Sequence, residues 1–318
     1  MKKGKLAVIA LGGNAIIRST QEGRIEEQNQ NVRDTLENLL FLMDAGYNLV
    51  ITHGNGPQVG NILMRNDAGF LLYDIAQMPL DICVADSQGG IGYMIERELR
   101  NLLQSRNIQK DVVTMVTQVV VSKDDPSIQN PSKRIGKSYS KEEAEGLSED
   151  KGWVFKISQK DQRFRRVVPS PKPLKIFNTE SIQRIASTGA IVIAVGGGGI
   201  PVYVDDDGLL QPVEGVIDKD HASSLLATQI GADELYLLTD VPFIYINFNK
   251  ENQEKVEFLD IVDTERLLEE GQFGEGSMDP KVRAALSFVK NGGEKSVITE
   301  ATKLKDKNFG SKITAKYD

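Results

Sequence analysis

Three lysines stand where an ordinary surface lysine is unusual. Lys219 lies between two aspartates at an expected helix start, Lys281 follows a Met-Asp-Pro sequence at another, and Lys133 follows Asn-Pro-Ser in a polar segment. The positive end of the helix dipole disfavours a cation, and a bound phosphate would reverse that penalty. These positions therefore indicate phosphoryl transfer, in which catalysis is mostly positioning and charge stabilisation. The alternative for each lysine is a solvated surface charge.

Two aspartates flank Lys219. Asp220 is expected to hold the lysines in place, and Asp218 to support the site or to help place Mg²⁺. The alternative is that these carboxylates cap the helix that begins here, and for Asp218 that interpretation has equal weight.

Three expected strands end in glycine. The junctions are Gly12-Gly13, Gly54-Asn-Gly56 and the four consecutive glycines at 196–199. Glycine permits a positive φ and lets backbone N–H groups approach an anion closely, and ligands bind beyond the carboxyl ends of parallel strands. The alternative is that glycine serves only the geometry of tight turns. Three junctions in one chain favour anion sites.

Two familiar phosphate motifs are absent. The chain has no G-x-x-x-x-G-K-[ST] loop and no G-x-G-x-x-G after its first strand, and its four glycines lead into Ile-Pro-Val rather than a helix. The anion sites must therefore be built differently, and a nicotinamide-dependent oxidoreductase is disfavoured.

The other reactive side chains are less informative. His53 is expected to be a packed histidine, His221 to start a helix, and Cys83 to be a small core residue. Arg165 and Arg166 either bind phosphate or remain solvated in the polar insert.

Composition excludes several classes of protein. The 318 residues include one Cys and two His, which exclude an internal disulfide and argue against the usual zinc sites. A net charge of −7 without a long Lys/Arg run argues against nucleic-acid binding. The apolar run near the N-terminus is too short for a signal peptide or a membrane span, so we expect a cytoplasmic protein and no membrane partner.

The elements that must position these residues alternate between strand and helix. This order predicts an α/β fold with a mainly parallel sheet and right-handed crossovers. The expected strands are Leu6–Leu11, 49–52, 112–121, 190–195, 235–239 and 295–299. The expected helices are 26–45, capped by Gly46, and 178–187, 221–230 and 280–290.

One segment breaks this alternation. Residues 123–173 are polar, and we interpret them as an inserted subdomain or lid because they carry apolar side chains to bury. Those side chains are Trp153, Val154, Phe155, Ile157 and Phe164.

Taken together, the motifs resemble those of carbamate kinases, within the amino-acid kinase superfamily. The similar segments follow the family's order over nearly the whole chain. They are Ala10-Leu-Gly-Gly-Asn-Ala, Thr52-His-Gly-Asn-Gly-Pro-Gln-Val-Gly, Met78-Pro-Leu-Asp-Ile-Cys, Ser87-Gln-Gly-Gly-Ile-Gly-Tyr, Arg165-Arg-Val-Val-Pro-Ser-Pro, Gly196-Gly-Gly-Gly-Ile-Pro-Val, Val216-Ile-Asp-Lys-Asp and Gly276-Ser-Met.

The resemblance implies a three-layer αβα sandwich, a homodimer and a reversible reaction in which carbamoyl phosphate and ADP give carbamate and ATP with Mg²⁺. It implies a single amino-acid kinase domain. Residues 1–122 and 174–212 would form the lobe that holds carbamate or carbamoyl phosphate. Residues 123–173 would be the protruding insert, and residues 213–318 the nucleotide lobe.

Site residues are implied in the same way. Those expected to line the phosphoryl and carbamate site are Gly12, Gly13, Asn14, Gly54 and Asn55. Those expected to be catalytic are Lys133, Lys219, Asp220 and Lys281. Those expected at the nucleotide are Gly197, residues 240–247 with Asp240 and Tyr245, Met278 and Lys281. Mg²⁺ would be held mainly by the phosphates, with Asp218 as the one protein candidate.

The sequence departs from the family pattern in places. The insert reads Ser-Lys-Arg-Ile-Gly around Lys133 and lacks the acidic, glycine-containing stretch expected before Arg165; Asp279 replaces a leucine, and Val-Ala-Asp precedes Ser87. Two alternatives follow from these changes. One is a related kinase with another small acceptor, and the other is a non-catalytic paralogue that binds nucleotide or metabolite.

Overall fold

The computed structural model describes residues 4–18, 20–158, 162–274, 278–306 and 309–316. The strands are β1 (Leu6–Leu11), β2 (Asn48–His53), β3 (Val112–Thr114), β4 (Gln118–Val120), β5 (Lys133–Tyr139), β6 (Val154–Ile157), β7 (Phe164–Val168), β8 (Lys175–Ile176), β9 (Ile191–Ile193), β10 (Ile200–Val204), β11 (Leu210–Pro212), β12 (Glu234–Thr239), β13 (Ile244–Ile246), β14 (Glu254–Val256), β15 (Phe258–Leu259), β16 (Lys295–Glu300) and β17 (Ser311–Thr314). The helices are α1 (Ile25–Glu37), α2 (Leu40–Asp44), α3 (Gly56–Tyr73), α4 (Leu80–Ser105), α5 (Pro126–Gln129), α6 (Lys141–Lys151), α7 (Thr179–Ser187), α8 (Lys219–Gln229), α9 (Ile261–Glu269) and α10 (Met278–Lys290).

A large central sheet organises the molecule. Its strand order is β15-β17-β16-β12-β1-β2-β9-β3, and the pairs from β16 to β3 are all parallel, whereas β17 runs antiparallel to β16. The mainly parallel α/β fold predicted from the sequence is therefore confirmed. The carboxyl ends of β1, β2, β9 and β12 lie side by side, which brings their following loops to one edge.

Helices cover both faces of this sheet. Along β1, Val8 and Ala10 join an apolar cluster with α7, α8, α9 and α10, whereas Ala7, Ile9 and Leu11 join a second cluster with α1, α2 and α4. Because successive side chains of a strand point to opposite faces, a fully apolar strand contributes to two cores. The result is the three-layer αβα arrangement.

Two predicted elements are broken in the structure. The expected strand 112–121 is two strands in different sheets, because the backbone N–H of Thr117 donates to the Gln88 side chain (2.7 Å) instead of continuing the ladder. The expected helix 26–45 is divided into α1 and α2. The backbone amides of Asn38 and Leu39 donate to carbonyl oxygens three residues earlier, which tightens the turn and ends α1. Gly46 has a φ of +82°, as a C-terminal cap requires.

The two longest helices, α3 and α4, have no counterpart in the predicted elements. Helix α4 buries Ser87, Gln88 and Glu98 among its apolar side chains, and these polar residues obscure its periodicity. Among the helices that the structure describes, none combines the length and the apolar character needed to span a membrane.

The insert is a small folded unit. Strands β5, β7 and β6 form an antiparallel sheet, and α6 connects β5 to β6. The chain leaves after β4 and returns at β8, which pairs with β4 (Val119 to Ile176). The division into two lobes plus the insert stays a prediction.

The apolar residues expected to stabilise the insert do so only in part. Val154 and Ile157 are 46% and 51% exposed, so that expectation is wrong for both. They lie on the outer strand β6, which has only β7 beside it. The residues buried instead are Ile135, Tyr139, Ala144, Val167 and Val168.

Candidate active site

A cleft opens where β1, β2 and β9 end. A short 3₁₀ turn follows β1, helix α3 begins three residues after β2, and a glycine 3₁₀ turn follows β9. The cleft holds a cavity of about 230 Å³, bounded on one side by these loops and on the other by the insert. The lining residues include Gly13, Gly54, Asn55, Lys133, Gly197, Asp218, Lys219, Asp220 and Lys281.

Asp220 pairs with both Lys219 and Lys281. We call these three residues the cleft floor. One carboxylate oxygen accepts from Lys219 Nζ, and the other accepts from Lys281 Nζ at 2.9 Å. The three residues come from the first turns of α8 and α10, which pack against each other. Asp220 is buried, and the lysine side chains are only 13% and 15% exposed, so both ammonium groups are directed into the cavity with little water around them.

Burial and charge act in opposite directions on these groups. Burial lowers the pKa of Lys219, and the attraction of Asp220 does not fully offset this effect. Burial also lowers the pKa of Lys281, but the attraction of Asp220 outweighs it and the pKa is raised overall. Burial raises the pKa of Asp220, yet the two lysines hold it below its usual range. Both lysines lie within ion-pair distance of the one carboxylate, so the three groups together carry one surplus positive charge when all are ionised.

Asp218 both caps a helix and pairs with a lysine. One oxygen accepts from the backbone amides of Asp220 (3.0 Å) and His221 (3.3 Å), and the other accepts from Lys133 Nζ (2.8 Å). Burial raises the pKa of Asp218, but Lys133 and His221 hold it well below its usual range. Asp218 therefore caps α8, as one of its two sequence interpretations expects, and its role in the chemistry stays a prediction.

Lys133 reaches the cleft from the insert. It begins β5, and its side chain, which is 32% exposed, lines the cavity and extends to Asp218. The structure thus brings together the four residues predicted to be catalytic. Lys133 differs from the other two lysines in its exposure.

The glycines of the junctions have distinct reasons for lacking a side chain. A Cβ on Gly54 would lie 3.2 Å from Lys219 Cδ, so this glycine leaves room for the lysine. A Cβ on Gly13 would meet nothing within 4 Å, which leaves its backbone open to the cavity. A Cβ on Gly12 would lie 2.5 Å from the carbonyl oxygen of Leu238. Gly12 therefore permits close packing of β1 on β12 and does not line the cleft cavity.

A buried polar network supports these loops from below. Asn55 donates to Ser87 Oγ (2.9 Å), and Gln88 donates to the carbonyl oxygen of Gly196 (2.9 Å). A Cβ on Gly197, whose φ is +65°, would lie 2.2 Å from Asn55 Nδ2. Sequence reasoning did not assign roles to Ser87 or Gln88. Both are polar residues among the apolar residues of α4, and this interruption is the sequence signal that could have identified them.

His53 is packed beneath the same loops. It is buried, its Nδ1 lies 3.0 Å from the carbonyl oxygen of Gly54, and burial lowers its pKa to about 4. A Cβ on Gly196 would lie 2.4 Å from His53 Nε2. The structural role predicted for His53 fits these contacts.

A second cavity adjoins the first at Lys281. It has a volume of about 300 Å³, and its walls include Asp240, Tyr245, Phe248 and Met278 as well as Lys281. The two cavities share Lys281, which therefore contacts both spaces. Four of the residues expected at the nucleotide, Asp240, Tyr245, Met278 and Lys281, are brought together here. Gly197 is not, because it lines the cleft beside Asn55.

The remaining candidates lie elsewhere. Arg165 and Arg166 are on β7, and neither lines the cleft cavity. The guanidinium carbon of Arg166 lies 3.8 Å from the centre of the Trp153 ring, on which it stacks. Cys83 is buried, and burial raises the pKa of its thiol to about 11. The Asn14 side chain lies outside the described part of the structure, as do residues 276 and 277 of the Gly-Ser-Met motif.

Comparison with known proteins identifies the family. Residues 5–300 match the amino acid kinase family. Carbamate kinase of Pyrococcus horikoshii is 46% identical over 93% of this chain and 94% of its own length, and carbamate kinase of Lentilactobacillus hilgardii is 44% identical over 98% of each chain. The chain belongs to the carbamate kinases.

Solved carbamate kinase structures agree with this assignment. Carbamate kinase from Giardia lamblia bound to AMP-PNP superposes with a TM-score of 0.90 at 36% identity, over 99% of both chains. The predicted family and amino-acid kinase fold are therefore confirmed.

The departures of this carbamate kinase from the family pattern lie mostly away from the cleft floor. Asp279 pairs with Arg283 (2.7 Å) on α10, Val84 is buried beneath the insert, and Asp86 is exposed on α4. The changes around Lys133 are the exception, because Lys133, Arg134 and Ile135 line the cleft cavity.

Proposed function

We propose that the protein catalyses the reversible reaction of carbamoyl phosphate with ADP to give carbamate and ATP. The observation that carries this proposal is the lysine pair held by Asp220 where two cavities adjoin. One cavity is lined by glycine turns and ammonium groups and suits a small phosphorylated anion. The other, with Tyr245, Phe248 and Met278, suits the base and ribose of a nucleotide.

The chemistry requires a phosphoryl group to pass between two anions. A terminal oxygen of the ADP β-phosphate forms a bond to phosphorus while the bond from phosphorus to the carbamate oxygen breaks, and the electron pair leaves with carbamate. Negative charge spreads over the equatorial oxygens of the transferring group. Lys219 and Lys281 are fixed in advance by Asp220, so they stabilise that charge without reorganising.

The two remaining parts of the machinery act on the carbamoyl side. The backbone amides after β1 and β2, at Gly13 and Gly54, would bind and orient carbamoyl phosphate. Lys133, which lines the same cavity, would add a positive charge and shield the cleft from water. Asp218 acts through Lys133 and is a positioning residue in this scheme.

Mg²⁺ would be bound mainly through the nucleotide phosphates. Within the described residues, there is no group of three or more His, Cys, Asp or Glu side chains arranged to hold a metal ion. Both oxygens of Asp218, the one protein candidate, already accept hydrogen bonds. These residues fit an ion that arrives with ADP or ATP and supplies further charge neutralisation there.

We also propose that the protein is a homodimer. The end of α3 and the segment after it expose a continuous set of large apolar side chains, and Leu71, the most exposed, is 78% accessible. Its other members are Phe70, Leu72, Tyr73 and Ile75. Such a patch is typical of a protein interface. Sedimentation velocity of the native protein and of Leu71→Glu distinguishes a dimer that dissociates in the variant from a monomer in both.

A coupled assay that detects ATP formed from ADP and carbamoyl phosphate tests the reaction directly. Folded protein that forms no ATP at substrate concentrations above the usual KM range of about 1 μM to 1 mM would contradict the proposal. A panel of other small acyl phosphates, assayed in parallel, shows whether the altered insert has changed the acceptor.

A further inference from the structure

The insert rests on α3 through two glycines. A Cβ on Gly60 would lie 2.2 Å from the Cα and 2.4 Å from the nitrogen of Gly136. Both neighbours are backbone atoms, which cannot rotate away as the end of a side chain can. We call these two residues the glycine seat.

Both sides of the glycine seat are built for close approach. Gly136 has a φ of +70°, and it lies where the pairing of β5 with β7 shifts register between Ile135 and Ser138. Arg165 donates to the carbonyl oxygen of Gly136 (3.3 Å) and fixes this irregularity. A bulge of this kind redirects a strand. Here it turns the backbone of β5 towards α3.

Neighbouring contacts hold the glycine seat closed. Val59 and Ile135, each adjacent to one of the glycines, are buried in the same apolar cluster. Two turns further along α3, Asp67 accepts from Lys151 of the insert at 2.6 Å. Gly60 and Asp67 are seven residues apart and so share one face of the helix. The insert is therefore fixed to α3 at two points.

The glycine seat lies close to the cleft on both elements. Gly60 is in the second turn of α3, whose first residue lines the cleft, and Gly136 follows Lys133 by three residues on β5. Three residues of strand span about 10 Å. A displacement at the glycine seat is therefore passed to Lys133 with little chain between to absorb it.

We propose that the glycine seat sets the reach of Lys133 and that Gly60 is a positioning residue for the proposed reaction. The inference rests on the function proposed above. A side chain at position 60 would force the insert back by roughly 1 Å before an ordinary contact is restored. Lys133 Nζ, now 2.8 Å from Asp218, would then lie beyond hydrogen-bond distance. Misplacement on this scale is enough to slow catalysis.

Gly60→Ala tests the proposal, with Gly146→Ala as its control. Both glycines lie inside helices, where alanine favours the helix by about 1 kcal/mol, but a Cβ on Gly146 meets nothing within 4 Å. Gly146→Ala should therefore be at least as stable as the native protein, whereas in Gly60→Ala the gain is offset by the cost of displacing the insert, and circular dichroism checks that this variant is folded. We expect Gly60→Ala to lower kcat/KM by about tenfold and Gly146→Ala to leave it unchanged.

A double-variant cycle separates positioning from a general effect on the fold. If Gly60 acts through Lys133, Gly60→Ala combined with Lys133→Ala is no slower than Lys133→Ala alone. Multiplicative losses in the double variant, or native kinetics in Gly60→Ala, would overturn the proposal. If Gly60→Ala does not fold, Val59→Ala loosens the same contact without a clash and enters the same cycle.

A second measurement does not depend on activity, so it separates failure of this inference from failure of the proposed function. Acetylation by acetic anhydride, followed by mass spectrometry, reports the reactivity of Lys133 relative to the exposed Lys141. We expect this ratio to rise about threefold or more in Gly60→Ala and to stay constant in Gly146→Ala, because loss of an ion pair frees the amine. An unchanged ratio in Gly60→Ala overturns the proposal even in a protein without kinase activity.

Discussion

The cleft floor and the insert hold their lysines in different ways. On the floor, Lys219 and Lys281 come from helices that pack beneath the central sheet, and they share the buried carboxylate of Asp220. On the insert, Lys133 comes from the edge strand of a small sheet and pairs with Asp218 while partly exposed. The floor is part of the core, whereas the position of Lys133 depends on how the insert rests on α3.

This difference predicts two kinds of variant. Water partly screens Lys133 on the insert, so its pairing with Asp218 contributes less to folding than a buried pair does. A buried charge on the floor cannot lose its partner without leaving an uncompensated charge in the core. We therefore expect floor variants to affect both stability and chemistry, and insert variants to affect mainly chemistry.

Asp220→Ala should have the largest effect. It leaves two buried ammonium groups without a carboxylate, and breaking a buried pair in this way costs about 3–5 kcal/mol of unfolding free energy. Urea denaturation followed by circular dichroism measures this loss. Asp206→Ala, which removes an exposed carboxylate in a turn, is the control. A loss below about 1 kcal/mol for Asp220→Ala would show that the floor is not part of the stable core.

Lys281→Ala should lower turnover by about a hundredfold or more, which is the scale for losing one donor that stabilises charge in the transition state. The steady-state rate of ATP formation measures it. Lys290→Ala lies on the same helix and removes an exposed lysine paired with Glu265, so it should leave the rate unchanged. A native rate in Lys281→Ala would remove this lysine from the chemistry.

The pH dependence of the unfolding free energy reports the burial of His53 beneath the loops of the cleft. The pKa of His53 is about 4 in the folded protein, against 6.5 for an unperturbed histidine. As pH falls below 6.5, the unfolded state takes up the proton first, so the stability contributed by neutral His53 is complete above pH 6.5 and is lost towards pH 4. At pH 5 the loss should reach about 2 kcal/mol.

The comparison for this test is His53→Gln, because carboxylates that titrate at low pH are common to both proteins and cancel. Between pH 7 and about 5, the unfolding free energy of the native protein should fall more steeply than that of the variant. Parallel pH profiles would mean that His53 is protonated in the folded state.

The fold could be predicted from the sequence wherever the apolar residues of a segment followed a single pattern, that of a strand or that of a helix. The apolar run of β1 has the predicted bounds, and the predicted helix 178–187 differs by one residue from α7. The predictions were wrong where a distant side chain redirected the backbone, as Gln88 does at Thr117, since no local pattern reports that contact. Helix α4 was missed because buried polar residues interrupt its apolar face, and α3 was missed because it buries only Val59 and Gly60 and so has no apolar face to detect.

The site could be predicted to the level of residue types at strand and helix ends. Lys219 and Asp220 were placed together because they are adjacent, but the convergence of Lys281 and Lys133 depends on pairing across the sheet and on the insert. The glycine seat had no sequence signal of its own. Gly60 and Gly136 lie in segments for which no helix or strand was predicted, and only the fold brings them together.

Lys133→Ala should give the smallest of these effects, a loss of about tenfold in kcat/KM with a smaller loss of stability than Asp220→Ala, because Lys133 is 32% exposed and Asp218 keeps its bonds to two backbone amides. The salt dependence sharpens the comparison with the floor. Between about 0.05 and 0.5 M ionic strength, the ratio of native to Lys133→Ala activity should shrink, whereas the ratio for Lys281→Ala should hold, since buried charges are screened less. Lys141→Ala, which removes an exposed lysine of the same insert, controls for the loss of surface charge. Equal salt responses for the two lysines would mean that the insert closes over substrate until Lys133 is as buried as the floor.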